Sequence, residues 1–229
     1  MNARLDHLVI VAPTLDEGAA WCEATLGVAP SAGGGEHPQM GTHNRLLRIA
    51  TVDYPRAYLE VIAINSGAAD AVLARPKRWF DMDSPALRRR VAAHGPQLVH
   101  FVASVPGLRA ACDALRALGI DRGAPMHASR MTPRGLLEWQ ITVRDDGQRL
   151  FDGALPTLIQ WGETHPGASM PESGVTLHSL CVTHPQAQQL AAAYEAIGLQ
   201  GVTLAEGPAN VCAKLHTPRG CVRLESGGA

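Results

Sequence analysis

A glycine-rich segment near the N-terminus carries side chains that could do chemistry. It begins at Gly33–Gly35 and includes His37, His43 and Asn44. Consecutive glycines let a backbone approach a ligand closely, and the imidazoles and the amide supply hydrogen-bond donors and acceptors. His37 is a candidate general base at neutral pH, and a loop histidine in solvent is an equal alternative. His43 and Asn44 are candidate substrate-binding residues.

Arg130 is a second candidate for binding a substrate. It lies in the segment Ser129–Arg134 and alternates with Met131. A guanidinium group matches the geometry of carboxylate and phosphate groups. Solvation at the surface explains Arg134 more simply, so we expect Arg130 to point inward and to contact an acidic group of the substrate.

The chain contains three copies of one sequence pattern. Stretches that begin at Leu5, Leu98 and Thr176 each place a histidine in a β-rich run, reach a proline, and close a helical pattern on a glycine. The three histidines are His7, His100 and His178. Such self-similarity indicates repeated supersecondary units that bury their apolar faces against one another.

Each repeat contains a marked helix followed by short strands. In the first repeat, Thr14 and Glu17 form a capping box and Gly27 suits a left-handed C-terminal position, which predicts a helix over Leu15–Leu26. β-rich runs bounded by glycine, proline and charged residues follow each helix. Each repeat therefore reads βαβββ.

The βαβββ repeat, the opening Leu5-Asp6-His7, the Tyr58–Glu60 strand and the segment Gly35–Asn44 resemble the vicinal oxygen chelate superfamily, and within it the glyoxalase-like branch. The resemblance covers about residues 4–162 well and 174–226 as a weaker module. It implies an α+β fold in which βαβββ modules form a cupped half-barrel of the glyoxalase/bleomycin-resistance type, with an additional C-terminal βαβββ-like module.

The expected domain organisation follows from these repeats. Residues 1–165 hold the paired modules, 1–64 and 97–162, with a connector over 65–96. Residues 174–229 hold the third module. In the connector, Ser84 and Pro85 predict a helix that ends near Gly95, and its three consecutive arginines, from Arg88 to Arg90, are expected to be solvated. Trp79 and Phe80 precede this helix and either cover the cup or pack the connector against it.

The resemblance also implies a metal site. In that family a divalent metal lies at the centre of the cup, and the matching residues here are His7, Glu60 and His100, with Gln160 in the fourth position. Imidazoles and a carboxylate suit Fe²⁺, Mn²⁺, Ni²⁺ or Zn²⁺ and leave room for a bidentate substrate. Gln160 is a weak ligand, and Glu138 on the neighbouring strand is the alternative fourth residue.

The favoured function is a metal-dependent lyase, isomerase or ring-cleaving dioxygenase that acts on a small substrate with vicinal oxygens, with Glu60 and His37 as catalytic residues. A metal-free protein that binds and sequesters a small molecule is an alternative, and an inactive cup that serves in assembly is a third. Repeat ancestry alone can preserve a strand histidine, as His178 illustrates, so a hydrogen-bonded core histidine is the competing interpretation for His7 and His100.

Composition favours a small-molecule partner. The 229 residues include 20 basic and 21 acidic ones, a balance that does not favour nucleic acid or an anionic membrane. The five cysteines are scattered without a C-x-x-C motif, which favours reduced thiols and a cytoplasmic location. No signal peptide or spanning helix is expected.

The unpaired third module leads us to expect an interface. A single βαβββ module exposes a strand edge and an apolar face, and both must be covered. The cover is either the cup of the same chain or the same module of a second chain. We expect the second arrangement, a homodimer about a two-fold axis.

Overall fold

The first module folds as the sequence predicts. A computed structural model describes residues 2–68, 76–132 and 135–227. Its first elements are strand β1 (Arg4–Val11), helix α1 (Leu15–Leu26), and strands β2 (Ser31–His37), β3 (Thr42–Arg48) and β4 (Tyr58–Ile64). Helix α1 begins where predicted because Thr14 Oγ1 accepts a hydrogen bond from the Glu17 amide at 3.1 Å. It ends at Gly27, whose φ of 78° is left-handed.

The connector contains an α-helix, and the second and third modules repeat the element order of the first. Helix α2 (Pro85–His94) occupies the connector where Ser84 and Pro85 predicted it. The second module comprises strand β5 (Gln97–Ser104), helix α3 (Leu108–Ala117), and strands β6 (Ala124–Thr132), β7 (Gly135–Val143) and β8 (Thr157–Trp161). The third comprises strand β9 (Thr176–His184), helix α4 (Ala187–Ile197), and strands β10 (Val202–Glu206), β11 (Asn210–Thr217) and β12 (Gly220–Glu225).

Two modules share one curled sheet. Its eight strands run in the order β2-β3-β4-β1-β5-β8-β7-β6. The first strands of the two modules, β1 and β5, pair antiparallel, and each also pairs in parallel with the last strand of its own module. The predicted α+β fold with a cupped half-barrel is confirmed. The domain boundaries stay a prediction.

Side-chain alternation divides the sheet into two faces. On β1, Val9 and Val11 belong to one apolar cluster, which lines the cup, whereas Leu8 and Ile10 belong to the other, which packs under α1 and α3. This alternation follows from the pleat, in which successive side chains point to opposite faces. His7 lies two residues before Val9 and therefore faces the cup.

The third module packs on its own chain. Its sheet has the order β10-β9-β11-β12, and its buried side chains, among them Leu180, Val182 and Leu190, join the cluster formed by α1, α3 and the outer face of the large sheet. The Tyr194 hydroxyl donates to the Ala154 carbonyl at 2.6 Å. The apolar face that led to the prediction of a homodimer is therefore covered by the same chain. The homodimer stays a prediction, and this face no longer supports it.

Two further features concern location and thiols. Within the described residues, no helix combines the length and the apolar character that crossing a membrane requires. All five cysteines are free thiols, and Cys22 and Cys112 are buried on α1 and α3. The cytoplasmic location stays a prediction.

Candidate functional site

His7 lies between two carboxylates. Its Nδ1 is 2.7 Å from Asp6 Oδ1, and its Nε2 is 3.5 Å from Glu60 Oε2. All three side chains are buried. An ionised carboxylate only accepts hydrogen bonds, so His7 Nδ1 carries the proton that binds Asp6. The other ring nitrogen consequently faces Glu60 and the interior of the cup, and the Tyr58 ring stacks on the imidazole at 4.6 Å.

Asp6 is a fully paired buried anion. Besides His7, it accepts hydrogen bonds from Trp161 Nε1 at 2.9 Å and from His165 Nε2 at 3.0 Å. The Gly167 amide donates to Nδ1 of His165, which places the proton of that ring on Nε2. Burial raises the pKa of Asp6, but the hydrogen bonds from His165 and His7 outweigh it and hold the pKa well below its ordinary value. Asp6 therefore fixes the orientation of His7.

Glu60 is oriented by an amide. Asn44 Nδ2 donates to Glu60 Oε1 at 2.5 Å, and the side-chain oxygen Oδ1 of Asn44 accepts a hydrogen bond from the Gly35 amide at 2.8 Å. The same Nδ2 lies 3.4 Å from His37 Nε2. Asn44 was expected to contact the substrate, and it lines the cup, where it holds Glu60 in place.

His37 lies in the cup as a neutral side chain. Its Nδ1 is 3.2 Å from Thr42 Oγ1, and the rings of Trp79 and Trp139 pack against it edge-on. Burial and, secondarily, the positive charge of Arg130 lower the pKa of His37 to about 3. An imidazole with so low a pKa is a weak base at neutral pH, so the structure favours a hydrogen-bonding role over the predicted general base.

His100 reaches the cup side of β5, but both of its ring nitrogens are already paired. Nδ1 donates to the Gly153 carbonyl at 2.9 Å, and Nε2 accepts from the Thr157 amide at 3.0 Å. Its side chain is fully buried. Burial and the nearby Arg122 guanidinium hold the pKa of His100 well below its usual range. It has the contacts of a core histidine.

The two candidates for the fourth ligand lie outside the cup. On β8, Ile159 packs in the cup cluster, whereas Gln160 points to the opposite face and accepts a hydrogen bond from the Leu108 amide at 2.7 Å. On β7, Leu137 and Trp139 face the cup, so Glu138 between them is exposed on the other side. The structure therefore brings neither Gln160 nor Glu138 to His7 and Glu60.

The predicted four-residue metal set does not fit this geometry. Only His7 and Glu60 face each other, His100 has no ring nitrogen to spare, and Gln160 lies across the sheet. Within the described residues, no group of three or more His, Cys, Asp or Glu side chains is arranged to hold a metal ion. Metal binding stays a prediction.

The remaining predicted binding residues divide between the cup and the outer surface. Arg130 lines the cup together with Glu60, and its Nη1 would lie 2.4 Å from a Cβ at Gly35. His43 alternates with Asn44 on β3 and therefore points away from the cup. It lines a groove outside, together with Arg45. Arg134 lies outside the described residues.

The cup encloses a small cavity with aromatic walls. Its volume is about 30 Å³, which leaves room for about two water molecules. Trp79, Trp139 and Trp161 line it, together with Tyr58 and Phe80. Trp79 and Phe80 belong to the connector, and both contribute to the wall of the cup. The free space between these side chains is therefore narrow.

Three residues of the site escaped sequence reasoning. Asp6 is next to His7 in the chain, and the pleat of a regular strand would place the two side chains on opposite faces. Trp161 ends strand β8 and His165 follows it between the second and third modules, where no periodic pattern assigns a role to either side chain. A histidine followed by proline in such a segment was the available signal for His165.

Comparisons with known proteins agree on the fold. A family profile described as a glyoxalase-like domain matches residues 5–198. A hypothetical protein from Staphylococcus aureus superposes with a TM-score of 0.58 at 14% identity, over 90% of this chain and 87% of that one. The curated proteins include no significant match.

Two enzymes of Streptomyces coelicolor superpose less closely. A 4-hydroxymandelate synthase variant has a TM-score of 0.48 at 13% identity, over 98% of this chain and 62% of that one. A methylmalonyl-CoA epimerase variant has a TM-score of 0.41 at 16% identity, over 70% of this chain and 94% of that one. Both scores are too low to support an argument about activity.

Proposed function

Because the chain belongs to the glyoxalase-like domain family, a branch of the vicinal oxygen chelate superfamily, we propose that its cup is an active site that moves protons on a small oxygenated substrate. The observation that carries this proposal is the placement of His7 between Asp6 and Glu60, at 2.7 and 3.5 Å. An oriented imidazole next to a carboxylate is a general acid–base pair.

The neighbouring side chains support proton abstraction next to a carbonyl group. Asp6 holds the proton on His7 Nδ1, so Nε2 is presented to the cavity. Asn44 fixes one oxygen of Glu60 and leaves the other facing His7. Arg130 lines the same cavity, and its positive charge would stabilise the oxyanion that forms when a proton leaves the adjacent carbon. Isomerases and lyases use this step.

Exchange of carbon-bound protons tests the proposal. Hydroxyacetone and pyruvate are probes with vicinal oxygens, and NMR in D₂O reports loss of their carbon-bound protons. We expect the wild-type protein to accelerate exchange with at least one probe, and Glu60→Gln and His7→Asn to lower that rate at least a hundredfold. His178→Asn, at the equivalent exposed position of the third module, is the matched control. Equal rates in all four proteins would refute the proposal.

Metal dependence requires its own experiment. Protein purified without a chelator or a histidine tag should be analysed for Fe, Mn, Ni and Zn, and the exchange assay repeated after chelation. The geometry at His100 and Gln160 leads us to expect exchange that survives chelation. About one equivalent of metal that is lost in Glu60→Gln, together with activity that needs it, would establish the metal-dependent enzyme predicted from the sequence instead.

A metal-free binding protein is the second candidate. Three of the four tryptophans line the cup, which is a wall suited to an aromatic or apolar ligand. In this case, ligands should quench tryptophan fluorescence in the wild-type protein, Trp139→Phe should weaken their binding, and no probe should exchange or turn over. Turnover that depends on Glu60 would exclude pure sequestration.

A further inference from the structure

A groove much larger than the cup cavity lies at one end of the first module, next to helix α2. It has a volume of about 590 Å³, against about 30 Å³ for the cup cavity. It runs between the start of α1, the ends of β1 and β4, and helix α2. Its volume falls within the range that drug-sized ligands occupy in proteins. The two spaces share no lining residue.

The floor of the groove is apolar. Val11 at the end of β1 and Leu87 and Val91 on α2 contribute buried side chains to it, with Met82 beside them. These residues also belong to the cup cluster, which fixes their positions. A rigid apolar floor favours a ligand with a hydrocarbon body.

The rim of the groove carries an uncompensated positive charge. Arg45 is paired with Asp16, with Nη2 and Oδ1 2.7 Å apart, so these two charges offset each other. Arg88 also lines the groove, and within the described residues its guanidinium forms no ion pair or hydrogen bond. Burial and, among the nearby cations, Arg45 lower the pKa of His43, which is therefore a neutral hydrogen-bonding group at pH 7.

The consecutive arginines of α2 consequently differ in role. Arg88 and Arg89 are both exposed, but only Arg88 lines the groove. Arg90 turns to the C-terminal end of the chain and donates to the Ser226 carbonyl at 3.2 Å. The solvated face expected from the sequence therefore holds for Arg88 and Arg89, and Arg88 is available at the mouth of an apolar groove.

We propose that this groove binds a small amphipathic monoanion, with its hydrocarbon body on the floor and its acidic head on Arg88. The apolar floor alone would accept any hydrocarbon, but the unpaired guanidinium selects an anionic head. His43 lines the same groove and offers a further hydrogen-bonding group to the ligand. This site is independent of the proton-transfer chemistry proposed for the cup.

Titration calorimetry with octanoate and 1-octanol tests the proposal, because the two probes share a tail and differ in charge. We expect octanoate to bind the full-length wild-type protein with one site and to bind more tightly than octanol by about fivefold. Arg88→Ala should abolish this preference while octanol binds as before. Arg89→Ala, the same change one residue along the helix, should keep the preference, and added salt should reduce it.

Two further variants locate the probe. Ala92 is exposed and lines the groove, so Ala92→Trp should fill the groove without disturbing the core and block both probes. Glu60→Gln should bind both probes as the wild-type protein does. Octanoate binding that responds to Glu60→Gln and ignores Ala92→Trp would place the ligand in the cup and overturn the proposal. Equal losses in Arg88→Ala and Arg89→Ala, or no binding at all, would also overturn it.

Discussion

The carboxylate of Asp6 accepts a hydrogen bond from Nδ1 of His7, its neighbour in the chain, at 2.7 Å. Adjacent residues of a regular strand point to opposite faces, so this contact requires an irregularity. The register between β1 and β5 shifts between Leu5 and His7, which is such an irregularity. The shift brings an anchoring carboxylate to the imidazole that faces the cup.

Replacing Asp6 by asparagine should destabilise the protein. The three ring N–H groups of His7, Trp161 and His165 that now bind one carboxylate would meet an amide with a single acceptor oxygen. We expect a loss of about 3 kcal/mol in the free energy of unfolding at pH 7, measured with urea. Asp53→Asn, an exposed exchange of the same kind, should leave that free energy unchanged.

The same variant should show a different pH dependence. The pKa of Asp6 lies below its ordinary value of 3.8 in the folded protein, so its charge stabilises the fold above about pH 4. This stabilisation is lost as the pH falls through the lowered pKa. The gap in stability between wild type and Asp6→Asn should therefore narrow below about pH 4. A constant gap would contradict the assignment of Asp6 as a buried anion.

His37 should make the protein less stable in mild acid. Its pKa is lowered from 6.5 to about 3 in the folded state, so between these values the unfolded chain binds more protons. Stability is then complete above pH 6.5 and falls with pH below it. His37 should account for a loss of about 2 kcal/mol between pH 7 and pH 5. His37→Gln should remove that share, whereas the exposed His178→Gln should not.

Local signals predicted the elements of the fold well. Helix α1 has the predicted bounds and strand β4 begins at the predicted Tyr58, because a capping box, a C-terminal glycine and an apolar run each act on a few neighbouring residues. The position of the third module required knowledge of contacts between distant residues. Leu177 binds the backbone of Ile49, and Tyr54 binds that of Gly201, and no local pattern encodes such pairs.

The candidate site was predicted only in part, for physical reasons. The family resemblance placed His7 and Glu60 at the centre of the cup, and they do meet. Gln160 was assigned by its place on the last strand, but its neighbours Ile159 and Trp161 face the cup instead. Alternation reverses with a shift of one residue, so an assignment by position fails unless the register is known. His165 reaches Asp6 through a loop, which periodicity does not describe.

The adjacent glycines Gly34 and Gly35 of strand β2 should respond differently to replacement by alanine. A Cβ at Gly34 would lie 1.7 Å from the backbone oxygen of Asn44, which cannot move without breaking the β2–β3 pair. At Gly35 the nearest atom is Nη1 of Arg130, at the flexible end of a side chain. We expect Gly34→Ala to lower the unfolding free energy by at least about 2 kcal/mol and Gly35→Ala by less than about 1 kcal/mol.

Exchange assays should then separate stability from function in this pair. Gly35→Ala keeps the fold but displaces the Arg130 guanidinium from the cup, so the exchange rate of a responsive probe should fall even though stability is nearly unchanged. Urea unfolding and the NMR assay measure the two effects on the same samples. Unchanged exchange in Gly35→Ala would contradict a role for Arg130 in the reaction.

Replacing His100 should affect stability more than metal content. Its ring nitrogens satisfy the Gly153 carbonyl and the Thr157 amide, both buried. His100→Phe would leave both groups without a partner and should lower the unfolding free energy by about 3 kcal/mol. Metal content, measured alongside, should match that of the wild-type protein. Loss of a bound metal without loss of stability would show that His100 is a ligand after all.

The third module should be required for a stable cup. Its side chains cover the outer face of the large sheet and the helices α1 and α3, and it also binds the loop after β7 through Tyr194 and His184. A chain ended at residue 165 would expose that apolar cluster to water. We expect it to bind an apolar dye and to lose cooperative unfolding, whereas Tyr194→Phe in the full-length chain should cost only about 1 kcal/mol. A truncated chain that unfolds cooperatively at the temperature of the full-length protein would show that the paired modules fold without this cover.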